Sequence, residues 1–176
     1  MQNLLEWTLE TIRSDEAFEW LEEYRFDWTP AIYTAIEKIL RGEAVLLLSD
    51  KRRVWLVEYI LLLLNDPKKK RPLLPIYRLE SFLPSTDILS STEEFGLVED
   101  MLSISFPNGY FIWYIGEESG EFEETLYSRE DNLIWILGEN RRGGFALPCD
   151  EQTDIKLIQL CRIFEKSIDV SMFGEI

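Results

Sequence analysis

The segment Ala44-Val45-Leu46-Leu47-Leu48 decides the fold. It is apolar without alternation, and Gly42 on one side and Ser49-Asp50 on the other bound it. An unbroken apolar run of this length reads as a parallel strand covered on both faces, whereas a half-exposed strand would alternate. Three more segments of the same kind follow at Leu73 to Tyr77, Tyr110 to Ile115 and Leu133 to Leu137. A helical stretch precedes each: Arg53 to Leu64, Thr92 to Leu102 and Phe122 to Ser128. Strand and helix therefore alternate, and the expected architecture is α/β, a Rossmann-like parallel sheet of four to five strands flanked by helices.

Outward from this unit, the chain opens on helices. Leu4, Leu5, Leu9 and Ile12 recur at helical spacing beside Trp7, and a second helical stretch covers Glu16 to Glu23. Thr29-Pro30 reads as an N-cap with proline at the first helical position, and Ile32, Ile36, Ile39 and Leu40 carry one face on to Gly42. Pro75 cannot donate to a ladder, so the second strand must be short or lie at an edge. The polar stretch Ser85 to Ser91 reads as a loop ending in an N-cap at Ser91. Gly143 to Pro148 supplies a short final strand before a long helix from Thr153 to Val170. Ile155, Leu157, Ile158, Cys161 and Ile168 give that helix a broad apolar surface, wide enough to meet a sister subunit.

Composition bounds the function. The 176 residues suit one domain, residues 1–176, with no linker or repeat, and 46% apolar content supplies its core. Eighteen cations against 33 carboxylates leave a net charge of −15, which opposes direct contact with nucleic acid or an anionic membrane. Neither a signal-peptide pattern nor an apolar run long enough for a bilayer is expected, and no run is longer than Tyr59 to Leu64. Two cysteines, Cys149 and Cys161, and no histidine argue for a reducing, cytoplasmic setting without structural zinc. Lys68-Lys69-Lys70-Arg71 reads as a solvated loop, and Asp50, Glu80, Glu99 and Asp100 as surface charge. Most of the six tryptophans read as core or subunit packing.

Ligands of open parallel sheets bind beyond the carboxyl ends of the strands, so the loops from Ser49, Arg78, Gly116 and Gly138 are the places to look for chemistry. Gly116-Glu117-Glu118-Ser119-Gly120-Glu121-Phe122-Glu123-Glu124-Thr125 resembles, in register, the S-x-S-G-x-T-x-x-T phosphate loop of the sugar isomerase (SIS) fold. Ser119, Gly120 and Thr125 are kept, while Glu117 and Phe122 stand in place of a serine and a threonine. The exchange removes two hydroxyls and adds carboxylates where a phosphate dianion would sit. Asp154-Ile155-Lys156-Leu157-Ile158-Gln159 occupies the place of the family's R-I-Q-E-x-H signature without its histidine or its glutamine-glutamate pair, so the usual proton shuttle is missing.

Within that fold, three blocks of this chain resemble the DnaA-binding replication regulators of the DiaA and HobA group: Leu5 to Pro30, Arg71 to Ile76, and Ser105 to Gly116. The resemblance implies a non-catalytic regulator of chromosomal replication initiation. It implies a homotetramer, with a dimer as the alternative, that binds the N-terminal domain of the initiator DnaA and promotes its oligomerisation at the origin. No catalytic, cofactor or metal residues are implied. Met172-Phe173 falls where DiaA places a contact pair, so Met172 and Phe173, with Glu117 and Glu118 of the acidic loop, are the expected partner-binding residues. The competing reading is a sugar-phosphate isomerase or sugar-phosphate sensor of the same fold.

Overall fold

A computed structural model describes residues 2–85, 91–117, 126–127, 129–138 and 144–174. Five strands, β1 (Ala44–Ser49), β2 (Ile76–Arg78), β3 (Tyr110–Glu117), β4 (Leu133–Leu137) and β5 (Phe145–Leu147), form one sheet in the order β2-β1-β3-β4-β5. Every neighbouring pair is parallel, with Leu46 opposite Tyr77 and Ile112, Trp113 opposite Leu133, and Ile136 opposite Ala146. All six residues of β1 and all five of β4 are buried, as continuous apolar runs require when both faces are covered.

The helices are α1 (Gln2–Ser14), α2 (Arg25–Leu40), α3 (Val54–Leu64), α4 (Thr92–Ser105) and α5 (Thr153–Phe173). Alternate residues of the strands sort into two layers. Val45, Leu47, Phe111, Trp113, Trp135 and Phe145 pack with α1, α2, α3 and α5, whereas Leu46, Ile112, Tyr114 and Ile136 pack with Phe95, Val98 and Leu102 of α4. The centre of the first layer is aromatic: Trp113 lies 4.9 Å from both Trp135 and Phe164, in edge-on contacts. Asn132 pins β4 to its neighbour, because its Oδ1 accepts the Ile112 N–H at 2.9 Å while its Nδ2 donates to the Leu126 carbonyl.

The expected strands are all present, β4 with the expected bounds and the others with shifted ends. β2 is Ile76–Arg78, where Leu73 to Tyr77 was expected. It is the edge strand, and Pro75 sits just before it, its carbonyl accepting the Val45 N–H at 2.8 Å. A proline at the entrance to an edge strand forfeits no ladder bond. The stretch Glu16–Glu22 is a 3-10 helix, because Asp15 caps it through the Ala17 N–H and its buried residues, Phe18 and Leu21, are three apart.

Thr29 is not an N-cap. α2 begins at Arg25 with Pro30 inside it, since the 3-10 segment runs through Tyr24 directly into the helix and the fully buried Trp28 anchors the first turn. Ser91 does cap α4, its hydroxyl accepting the Glu94 N–H at 3.3 Å, and α4 continues past Leu102 to Ser105. Leu126 and Tyr127 are helical, while the rest of the expected helix Phe122 to Ser128 lies outside the described residues. α5 runs three residues beyond Val170 and stops at Gly174, whose left-handed φ of 70° closes it. Its broad apolar surface is mostly absorbed within this chain: Leu157, Leu160, Cys161, Phe164 and Ile168 are buried, and Ile155 is exposed.

The basic run is not wholly solvated. Arg71 donates to Asp169 at 2.7 Å and to the Leu64 carbonyl at 2.6 Å, and Lys69 pairs with Glu165, so this segment clasps α3 to α5. Carboxylates one turn apart on α5 supply what the sequence run alone could not reveal. Among the described residues, no helix is long and apolar enough to cross a membrane.

Two outcomes follow. Trp113→Ala, which empties the middle of the aromatic cluster, should cost about 3–5 kcal/mol in urea unfolding. Asp131 is the second. Burial works against its charge, yet hydrogen bonds from Arg129 and Lys38 hold its pKa below the usual carboxylate range. Its stabilisation is therefore complete above the unfolded value of ~3.9 and is lost as pH falls through the lower, folded value. The stability gap between the native chain and Asp131→Asn, measured by unfolding at successive pH values, should be widest near neutrality and close in acid.

Candidate functional site

β1 leads out to β2 on one side and β3 returns on the other, so the topological switch point lies between the carboxyl ends of β1 and β3. In an open parallel sheet this crevice is where a ligand binds. Here it is occupied by the chain's own charges.

Asp50 follows β1 directly. Its Oδ1 accepts the backbone N–H groups of Arg52 and Arg53, each at 3.0 Å, in a turn that opens α3. Its Oδ2 accepts the Glu117 N–H at 2.9 Å and pairs with the Arg53 guanidinium. One carboxylate thus holds the four donors that an incoming anion would use. Arg53 is only 5% exposed and also approaches Glu117 at 3.4 Å, as does the exposed Arg52. Burial opposes the Arg53 charge, but the hydrogen bonds to Asp50 and Glu117 outweigh it and its pKa is raised.

The backbone is shaped to this carboxylate. A Cβ on Gly116 would lie 2.6 Å from the Tyr114 hydroxyl and 2.8 Å from Asp50 Oδ2, so any side chain there would displace them. The Tyr114 hydroxyl donates to the Glu117 carbonyl at 2.6 Å, and burial, reinforced by Asp50, pushes its pKa up. It is a structural donor at neutral pH.

Beside this cluster opens a cavity of about 170 Å³. Arg52 and Arg53 face Glu117, Asp150, Glu151 and Asp154 across it, two cations against four carboxylates. Such a balance disfavours a phosphate. At the position that the family signature gives to histidine stands Gln159, whose Oε1 accepts the Trp20 indole N–H at 2.7 Å. Cys149 is exposed and Cys161 is buried, both as free thiols, and burial pushes the Cys161 thiol up, away from reactivity. No cluster of three or more potential metal ligands occurs among the described residues.

Glu117, expected in a loop, is the last residue of β3, facing Arg52 and Arg53 and half exposed. Glu118, with the rest of the acidic loop to Thr125, lies outside the described residues. Met172 and Phe173 are in the last turn of α5 rather than beyond it. Met172 packs on the main core, while Phe173 is 59% exposed. The structure brings Glu117 together with Asp50, which the sequence reading placed among surface charges. Only the capping role of Asp50 has a local signal: an aspartate at the end of a buried strand, three residues before the arginine that opens the next helix, is suited to cap that turn.

The family model of HobA, described as a DNA replication regulator, matches residues 1–176. The chain belongs to the HobA family. The DNA replication regulator protein HobA of Helicobacter pylori (strain ATCC 700392 / 26695) is 29% identical over 187 residues, covering 100% of this chain and 99% of that protein. The crystal structure of Helicobacter pylori HobA has the same fold, with a TM-score of 0.74 at 24% identity and 97% of each chain covered. The crystal structure of a HobA-DnaA (domain I-II) complex from the same organism matches with a TM-score of 0.74 at 27% identity, over 100% of this chain and 99% of that one.

In this HobA-family chain the crevice cluster has a measurable weight. Asp50→Ala strands a buried guanidinium and should cost about 3 kcal/mol in chemical denaturation. Glu117→Gln, at a half-exposed ion pair, should cost less than about 1 kcal/mol.

Proposed function

We propose that this chain is a non-catalytic regulator of chromosomal replication initiation that binds the N-terminal domain of the initiator DnaA and promotes its assembly at the origin. The observation that carries this reading is the likeness, over the whole chain, to HobA in its complex with DnaA domains I-II. The filled crevice supports the non-catalytic part, since Asp50 and Glu117 engage the cations and amides that a phosphosugar would need.

The protein acts in the cytoplasm as a single SIS-like domain, residues 1–176, assembled into a homotetramer. Several copies of the partner surface then hold initiator molecules at high effective concentration, so assembly gains from multivalency without any new contact. Phe173 is the anchor of that surface, with Met172 supporting it from the core side, whereas Glu117 stands beside Asp154 at the opposite end of α5, about 30 Å away, and with Glu118 meets basic groups of the partner only as a second, separate contact. An exposed aromatic at the end of a rigid helix suits a hydrophobic pocket on the other protein.

Isothermal titration of the chain with the DnaA N-terminal domain should give a micromolar or tighter Kd, and Phe173→Ala should weaken it by about tenfold, or about 1.4 kcal/mol. Absence of both heat and co-elution would sink the proposal. Phosphosugars should leave the melting temperature unchanged, whereas a concentration-dependent rise would favour the sugar-phosphate reading.

A further inference from the structure

α4 is amphipathic on both sides of its axis. Phe95, Val98 and Leu102 face the core, yet Leu97 is 73%, Met101 40% and Ile104 83% exposed. These three stand at i, i+4 and i+7, which aligns them along one outer stripe about 10 Å long. Past its C-terminal end, Phe106 meets Phe82 edge-on at 5.4 Å and Tyr77 at a tilt at 5.5 Å, and Tyr77 is 43% exposed. A run of leucine, methionine, isoleucine and aromatic surface has the composition of a binding strip, unlike the scattered single apolar residues of ordinary surfaces.

Charge selects what covers it. α4 carries Glu93, Glu94, Glu99 and Asp100 and no lysine or arginine, within a chain of net charge −15. Glu93, Glu94 and Asp100 are exposed beside the stripe. A second copy pairing this face antiparallel about the middle of the stripe would set Asp100 against its equivalent, and a parallel pairing would do the same to Glu93 and Glu94, arrangements that oppose association. A helix with an apolar face and lysine or arginine flanks satisfies both the stripe and its acidic border.

We propose that the outer face of α4 is a docking surface for a basic amphipathic helix of a partner protein. The mode is helix against helix, with Leu97, Met101 and Ile104 as the apolar contacts and Glu93, Glu94 and Asp100 setting the sign of the partner's flanks. This surface is separate from the end of α5 and from the crevice, so the inference stands whether or not the initiator reading holds.

The test uses the full chain and a fluorescently labelled helical peptide with leucines at heptad a and d positions and lysines elsewhere. Anisotropy titration should show saturable binding that weakens at high salt and falls by at least roughly tenfold in Leu97→Ser/Ile104→Ser, while Leu62→Ser, an equally exposed site on α3, leaves it unchanged. The double variant should keep the native melting temperature, because both side chains are already in water. No binding, equal binding to the native chain and the double variant, or equal binding of a peptide with glutamates in place of the lysines would overturn the proposal. So would a drop in assembled mass on sedimentation of the double variant, which would assign the face to a second copy of this chain.

Discussion

The Asp50 carboxylate at the carboxyl end of β1 is the point on which the architecture turns. It joins the first strand to the start of α3 through two backbone amides, and to the end of β3 through a third and through Arg53. The crevice that a parallel sheet opens at its switch point is thereby closed from within. A carboxylate supplies the negative charge that helix N-termini and arginines attract, and it costs no ligand. The glycine at position 116 records the same constraint in the backbone, since any side chain there would displace Asp50.

Much of this was readable in the sequence, for one physical reason. Strands buried on both faces must be continuously apolar, so β1, β3 and β4 stand out as runs that no surface segment could tolerate. The short edge strand β2 and the true start of α2 were less visible. In both, the chain is placed by neighbours: Pro75 by its bond to Val45, and the first turn of α2 by the burial of Trp28. The pairing of Asp50 with Glu117, sixty-seven residues apart, has no local trace. Neither has the clasp of Lys69 and Arg71 on α5, which a run of four cations read in isolation suggests is solvated.

The two ends of the molecule then differ in what they can do. The crevice side is internally satisfied, polar and shaped around a fixed ion cluster. α5, held by its buried face and by the Arg71 clasp, projects its last turn as a rigid platform that keeps Met172 on the core and leaves Phe173 in solvent. A scaffold that fills its small-molecule site and offers ordered apolar side chains on helices is built for meeting other proteins, in keeping with a family of replication regulators.

Hydrogen exchange of the full chain, alone, with the DnaA N-terminal domain and with a phosphosugar, tests this division most directly. The account predicts new protection at the last turn of α5 on adding the initiator domain, and no change at residues 50–54 or at the end of β3 on adding the phosphosugar. Protection of those crevice amides by the phosphosugar, with none anywhere from the initiator domain, would contradict it.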